Sequence, residues 1–237
     1  MTTPIEYANQ GAAMTRGARS PLLKASIAAF GFVVTLGLAV LLPVNWLMTR
    51  FDVLAHYRLI SIVLTVTTVL VSAAAWCGFT VFSVVFVRMV LRVRAGEAVR
   101  AGDILDFDDV LIPGAWLGAP IAAAQLLSLG QLVWAPLDGI GSGLADLLLL
   151  VLIWAPIEMA LRRPTHEQAW HASVGFWLSN PVGNLIAVLI ISVRALIDGR
   201  LIHAPGIYAA SLLAYYTEKA APAPAPAVAP GTPAAVG

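Results

Sequence analysis

Long apolar stretches alternate with short polar connections along this chain of 237 residues. The longest stretch runs from Leu59 to Val87 without a single Asp, Glu, Lys or Arg, and Arg88, Arg92 and Arg94 follow it. About 20 apolar residues cross the hydrocarbon core of a bilayer, and basic residues collect at the cytoplasmic end of such a span. The run therefore predicts a transmembrane helix whose C-terminal end faces the cytoplasm.

Six apolar segments recur in this way and predict an all-α fold. We expect a polytopic transmembrane helical bundle of about six membrane helices. The last two segments have about 16 residues each, which reach only about 24 Å at 1.5 Å per residue. They predict either two crossings of a thinned bilayer or a re-entrant hairpin held by protein. The six segments lie near residues 25–48, 59–87, 111–135, 144–161, 182–197 and 201–217.

The segments divide the chain into three parts. Residues 1–24 form a cytoplasmic N-terminal arm, and residues 25–217 form the transmembrane helical domain. Residues 218–237 form an Ala/Pro-rich tail. A nearly uncharged, Pro-rich stretch buries too little apolar surface to fold, so we expect this tail to be disordered and extended.

Composition and charge support a membrane location. Apolar residues make up 59% of the chain and charged residues 11%, against roughly 25% charged residues in a soluble domain. With six crossings, ten of the fourteen basic residues lie on the side of the two termini, so the positive-inside rule places both termini in the cytoplasm. Only two of the basic residues are lysines, and alanine is abundant. Both features are typical of proteins from high-GC bacterial genomes. We therefore expect a multi-pass protein of the bacterial inner (cytoplasmic) membrane.

A further helix is predicted in the connection after the fourth segment. Thr165 and Gln168 form a capping-box pattern at its start. Trp170 and Trp177 lie on its apolar side, whereas His171 lies on its polar side. The pattern predicts a cytoplasmic amphipathic helix in the membrane interface, with the two tryptophans as wedges among the headgroups.

Two groups of potential metal ligands do not fit known sites. His166 and His171 are five residues apart, so they point to different faces of a helix, unlike the histidines of a His-Glu-x-x-His zinc motif. Four aspartates within residues 103–109 match no calcium loop. Asp103 and Asp106 instead have the spacing of a helix N-cap and its third residue. We therefore expect no metal site, no cofactor and no catalytic residue.

Charged side chains near the bilayer are the candidates for function. Glu158 precedes Arg162 by four residues near the cytoplasmic end of the fourth segment. Arg194 precedes Asp198 by the same spacing near the end of the fifth segment. Residues four apart face each other on a helix, so both pairs predict helix-end salt bridges.

Small residues indicate where helices approach closely. Gly114 and Gly118 form a GxxxG pattern at the start of the third segment. Such patterns let two membrane helices pack with their backbones in near contact. We expect this pair to serve helix packing rather than ligand binding.

The two cytoplasmic connections, residues 88–110 and 162–181, also carry a family resemblance; we call them the first and second collar. Gly96-Glu97 precedes Asp103-Ile104 in the first, and Glu167-Gln-Ala-Trp-His leads to Asn180 in the second. These stretches resemble a broad group of bacterial six-helix integral membrane proteins related to the membrane domain of some glycerophosphodiester phosphodiesterases. The resemblance implies a stand-alone membrane domain over about residues 60–216. Since we expect no soluble phosphodiesterase domain, it does not imply that activity.

Two functions of different classes fit these features. The first is a non-enzymatic integral membrane protein that packs helices, lipids or a partner protein in the membrane. The alternative is a small transporter or channel for an unknown solute, which would place Glu158 or Arg194 along the solute path. The expected partners are the lipid bilayer and either a membrane protein or a second copy of the chain, and not a nucleic acid.

Overall fold

A computed structural model describes residues 2–50, 57–199 and 203–220. Every regular element in these ranges is helical, as the sequence predicts. Short 3-10 helices at Arg16–Ala18, Ala101–Leu105 and Ser128–Leu132 connect longer elements. The α-helices are α1 (Pro4–Met14), α2 (Arg19–Arg50), α3 (Tyr57–Arg94), α4 (Leu111–Leu127), α5 (Pro136–Val151), α6 (Ala155–Arg162), α7 (His166–Ser179), α8 (Pro181–Gly199) and α9 (Ala204–Lys219).

Five helical stretches are long and apolar enough to cross a membrane. They coincide with the first five predicted segments and indicate a multi-pass membrane protein in contact with lipid. The sixth segment forms α9, whose 16 residues are not among these stretches. The five stretches are Arg16–Val44, Tyr57–Arg94, Leu111–Leu132, Pro136–Arg162 and Pro181–Gly199.

The N-terminal arm contains a helix that the sequence analysis does not predict. Thr3 and Glu6 form a capping box at the start of α1, in which the Thr3 N–H donates to Glu6 Oε2 over 2.6 Å. The helix then packs on α8 and α9. Gly11 permits this contact, because a Cβ atom there would lie 2.8 Å from the carbonyl oxygen of Ile207. The arm is therefore part of the protein core.

The helices α3 and α4 pack closely through small residues. A Cβ atom on Gly118 would lie 2.8 Å from the Trp76 carbonyl oxygen, and one on Gly114 would lie 3.1 Å from the Val81 Cα atom. The Thr80 hydroxyl, buried between the helices, donates to the Gly114 carbonyl over 2.7 Å. Both glycines thus lie in the α3–α4 contact, where larger side chains have no room.

The fourth predicted segment forms two helices. It begins earlier than predicted, at Pro136, and turns at residues 152–154 before α6 begins. Pro156 explains the break, because it has no N–H to donate to the Leu152 carbonyl. The Ala155 N–H donates to Leu152 instead, over 3.0 Å. The break places Trp154, which is fully buried, in the middle of the core.

The last two helices form an antiparallel hairpin. The Tyr215 hydroxyl, near the end of α9, donates to Asn184 Oδ1 near the start of α8 over 2.8 Å. At the other end, a Cβ atom on Gly199 would lie 2.7 Å from the Ala204 Cα atom. Helix α9 ends at Lys219, so the first two residues of the predicted tail 218–237 are helical rather than extended. The part of the tail beyond Ala220 lies outside the described residues.

Candidate functional site

The candidate site is the carboxylate of Glu158. The break before α6 orients this side chain toward the protein interior. Only 4% of Glu158 is exposed. Its Oε2 accepts a 2.8 Å hydrogen bond from the Tyr216 hydroxyl of α9. Its Oε1 lies 3.2 Å from Arg162 Nη1 one turn further on, so the ion pair predicted from their spacing is present. The buried negative charge is therefore held by one neutral donor and one cation.

The Tyr216 ring, whose hydroxyl binds this carboxylate, belongs to an aromatic cluster. Trp154 stacks on Tyr216 with 5.8 Å between ring centroids, and it meets Phe176 edge-on at 5.0 Å. Tyr215 meets Phe176 edge-on as well, at 6.1 Å. Rings from the break before α6, from α7 and from α9 thus pack together beside Glu158, and the low exposure of Glu158 strengthens its polar contacts. The Trp154 Nε1 atom is buried without a hydrogen-bond partner within the described chain.

Asn184 is the second polar residue buried in this region. Besides accepting from Tyr215, its side chain donates to the Phe176 carbonyl oxygen over 2.8 Å. Only 2% of the residue is exposed. Asn184 therefore joins α7, α8 and α9. Losing either hydrogen bond would leave a buried polar atom unpaired, which costs free energy.

Sequence reasoning misses Asn184, Tyr215 and Tyr216. Asn184 is a polar residue within an apolar segment, and that pattern alone marks it as a candidate. Tyrosines near the end of a membrane segment also fit interfacial anchors, so their pattern does not distinguish a core position from a surface one.

Ion pairs hold the two collars together beside the site. Arg88 donates to both carboxylate oxygens of Asp109, over 2.6 and 3.2 Å, and Arg163 of the second collar lies 3.6 Å from the same carboxylate. These contacts hold the pKa of Asp109 below its ordinary value, chiefly through the hydrogen bond from Arg88. The charge network therefore links α3, the first collar and the end of α6.

The capping predicted in the first collar differs from the observed geometry. Arg100, not Asp103, occupies the N-cap position of the 3-10 helix Ala101–Leu105. Asp103 is its third residue and accepts from the Arg100 N–H over 2.9 Å. Asp103 Oδ2 also lies 3.0 Å from Arg92 Nη1. Asp103 at the third position therefore makes two contacts, the capping hydrogen bond and an ion pair with Arg92 at the end of α3.

The predicted interfacial helix is α7. The Gln168 N–H donates to Thr165 Oγ1 over 3.4 Å and the Thr165 N–H donates to Gln168 Oε1 over 3.2 Å, so the predicted capping box is confirmed. Its position against the bundle is set by Ser173, which is buried and donates to the Val151 carbonyl over 2.8 Å. That carbonyl belongs to the last turn of α5, which leaves it without a helical partner.

The tryptophans of α7 point into the protein rather than outward as wedges. Trp177 is buried, and Trp170 Nε1 donates to the Leu117 carbonyl of α4 over 3.4 Å. His171 is exposed. The buried side of α7 therefore packs against protein, where the sequence analysis predicts lipid headgroups.

The second predicted ion pair lies on α8, apart from Glu158. Arg194 Nε lies 3.3 Å from Asp198 Oδ2 without hydrogen-bond geometry. No hydrogen bond or ion pair between described residues joins this pair to Glu158. The four charged candidates thus form two separate pairs.

One cavity lies beside the site and another at the opposite end of α9. A cleft of about 250 Å³ opens beside Arg162, Tyr216 and Thr217. A smaller cavity of about 10 Å³, large enough for one water molecule, lies between the start of α2 and the start of α9. Arg19 Nε and His203 Nδ1 are buried there without partners among described atoms.

The described part of the chain contains no group of three His, Cys, Asp or Glu side chains that could hold a metal ion. Comparison with protein-family models, curated proteins and solved structures finds no match to this chain. The resemblance to the phosphodiesterase-related membrane proteins therefore stays a prediction. The geometry identifies a multi-span helical protein with a buried carboxylate at one end of its core.

Proposed function

We propose that the protein is a non-enzymatic membrane protein that packs α2 against α2 of a second copy within the bilayer. The observation that carries the proposal is the free face of α2. None of the most apolar 18-residue window in Arg16–Val44 is buried within the protein. One side of α2 packs on α3, where Phe32 meets Phe82, and the uncovered side faces lipid or another helix.

The free face of α2 has the composition of a helix-packing surface. Ala28, Gly31, Thr35 and Ala39 are exposed and recur at intervals of three and four residues, so they form one stripe of small residues. Large exposed side chains flank this stripe, among them Phe30, which is 68% exposed. In lipid, a small-residue stripe lets another helix approach closely, which favours association.

The space around the glycines indicates that this stripe does not serve packing within the described part of the chain. A Cβ atom on Gly118 would meet backbone atoms of α3, whereas one on Gly31 would meet nothing within 4 Å. No described part of the same chain therefore packs against Gly31. A second copy is the simplest occupant, because an isologous contact needs only one self-complementary surface.

The polar contacts around Glu158 support a non-enzymatic role. Both carboxylate oxygens are engaged, one by Tyr216 and the other by Arg162. The residue is also only 4% exposed, so its carboxylate faces protein groups rather than open space. We assign Glu158 to the packing of α6 against α9, rather than to the transport alternative.

The proposal includes a location in a bacterial inner membrane with both termini in the cytoplasm. Its support is the excess of basic residues in the N-terminal arm and the collars. The collar arginines also pair with acidic residues of the same face, so this end of the bundle is the charged one.

Counting subunits in liposomes tests the proposal. Single molecules carrying a fluorescent protein at the C-terminus should bleach mainly in two steps. Gly31→Leu should bleach mainly in one step, because its side chain fills the small-residue stripe. Gly37→Leu is the matched control, since Gly37 also has open space around it but lies about 240° around the helix from Gly31. One-step bleaching of the wild type, or equal behaviour of the two variants, would contradict the proposal.

A further inference from the structure

We propose that the α8–α9 hairpin lies in the plane of the cytoplasmic leaflet and that α8 inserts an apolar stripe among lipid acyl chains. The chain then crosses the membrane four times, through α2, α3, α4 and the α5–α6 pair. This inference is independent of the proposed association through α2. It rests on where the two ends of α9 make contact.

The N-terminal end of α9 lies against the cytoplasmic end of α2. A Cβ atom on Gly206 would lie 3.3 Å from Leu22 Cδ1, and His203 shares the small cavity lined by Arg19. Leu22 stands between the basic residues Arg19 and Lys24 at the start of the first span. Helix α2 also packs against the 3-10 helix of the first collar, and Phe32 in its N-terminal half meets Phe82, which meets Phe107 of that collar.

The C-terminal end of α9 lies at the same level. Tyr216 bonds to Glu158, which is four residues before Arg162 at the end of α6. The next residue, Arg163, pairs with Asp109 of the first collar. Positions 206 and 216 are about 15 Å apart along a helix, yet both touch the cytoplasmic ends of spans. A helix with both ends at one level runs along the membrane and does not cross it.

Helix α8 follows the same direction, because it is antiparallel to α9. Asn184 at one end bonds to Tyr215, and Gly199 at the other end contacts Ala204. Its 19 residues are long enough to cross a membrane. The contacts at its two ends nevertheless place both of them beside the collars.

The two sides of α8 differ in what covers them. The side formed by Asn184, Ala187, Val188, Ile191 and Ala195 is buried, and the helix packs on α1 and α9. The other side is exposed, apolar and free of charge, with helical spacing typical of an interfacial helix. Its members are Val182, Leu185, Ile186, Leu189, Val193, Leu196 and Ile197, and Val182 is 67% exposed.

Helices α1, α8 and α9 pack together as one layer, and α1 forms the side of it that faces water. Its buried residues Tyr7, Ala8 and Gly11 face α8 and α9, whereas Asn9 and Gln10 are exposed. A layer with polar residues on one side and an apolar stripe on the other matches the boundary between cytoplasm and acyl chains. We therefore assign the lipid acyl chains as the occupant of the α8 stripe.

Charge distribution gives independent support. With six crossings, Arg194 and Arg200 would count as external, and ten of fourteen basic residues would be cytoplasmic. With four crossings, both count as cytoplasmic by sequence position, and the number rises to twelve of fourteen. Only Arg50 and Arg58 then remain outside. The four-crossing topology therefore satisfies the positive-inside rule better.

Thiol labelling at position 201, between α8 and α9 in the sequence, tests the side of the hairpin turn. In a Cys77→Ala background, Leu201→Cys should react with an impermeant maleimide in inverted vesicles and not in spheroplasts. Arg50→Cys should react only in spheroplasts, as the external control. An alkaline phosphatase inserted after Leu201 reads the same position without depending on thiol reactivity, and it should be inactive. Labelling in spheroplasts or phosphatase activity would overturn the proposal.

Spin labels test the occupant of the stripe. In the same Cys77→Ala background, a nitroxide at Leu189→Cys should collide more often with oxygen than with a water-soluble nickel chelate. A nitroxide at Gln10→Cys should show the reverse preference. If the label at position 189 preferred the nickel chelate, the stripe would face water and the assignment to lipid would be wrong. If it met neither reagent, protein rather than lipid would cover the stripe, and the assignment would fail as well.

Discussion

The Tyr216 hydroxyl donates a 2.8 Å hydrogen bond to Oε2 of Glu158, across 58 residues of sequence. This bond joins α9 to α6 and satisfies one oxygen of a carboxylate that is 4% exposed. The rings of Trp154 and Phe176 pack on the Tyr216 ring, so the hydroxyl is held in position. The contact therefore fixes the position of α9 at the end of the bundle that carries the collars.

Removing the Tyr216 hydroxyl should destabilise the protein. Tyr216→Phe leaves a buried carboxylate oxygen without its donor, which costs about 1–3 kcal/mol. Tyr57→Phe is the matched control, since Tyr57 is 67% exposed. We expect a lower midpoint of thermal unfolding in detergent for Tyr216→Phe and an unchanged one for Tyr57→Phe. Equal midpoints for Tyr216→Phe and the wild type would show that the bond does not stabilise the fold.

Filling the α3–α4 contact should also destabilise the protein. Gly118→Ala places a methyl group 2.8 Å from the Trp76 carbonyl oxygen, so the helices must separate. Overpacking of this kind costs about 1–3 kcal/mol. Gly139→Ala, where a Cβ atom meets nothing within 4 Å, should instead stabilise α5 by about 0.5–1 kcal/mol. Thermal unfolding should separate the two variants in opposite directions, and a shift in the same direction would contradict the packing described for Gly118.

The Asp109 network should make stability depend on pH. The pKa of Asp109 is lowered in the folded protein, mainly by the hydrogen bond from Arg88. Its contribution is therefore fully present above the unfolded value near pH 4 and is lost as pH falls through the lower folded value. Asp109→Asn lacks the charge at every pH.

We expect the wild type to unfold at a higher temperature than Asp109→Asn at pH 7. The difference should shrink as the pH falls below about 4. Because Asp109 is half exposed, the difference at pH 7 should be small but measurable by thermal unfolding. A gap that stayed constant down to pH 3 would show that the carboxylate charge is not its source.

Hydropathy predicts the spans well because it depends only on the local sequence. The predicted segments 25–48 and 59–87 fall within α2, Arg19–Arg50, and α3, Tyr57–Arg94. The capping box of α7 is predicted for the same reason, since Thr165 and Gln168 act within one turn.

The remaining features depend on contacts between distant residues. Helix α1 is short, and it is stabilised by α9, where Tyr7 meets Tyr215 edge-on at 5.3 Å. The contact between Tyr216 and Glu158 has no local signature. Hydropathy also reports how long an apolar segment is, not which way it runs. The direction that we propose for α8 and α9 therefore rests on the three-dimensional contacts.

A disulfide between positions 22 and 206 tests the central claim, that α9 begins at the cytoplasmic end of α2. The Cβ positions lie 3.5 Å apart, within the range that a disulfide spans. In the Cys77→Ala background, Leu22→Cys with Gly206→Cys should cross-link in native membranes under mild oxidation. Arg50→Cys with Gly206→Cys is the control and should not, because Arg50 is about 42 Å from Leu22 along α2. A cross-link in the control pair alone would place the start of α9 on the outer side and contradict the in-plane hairpin.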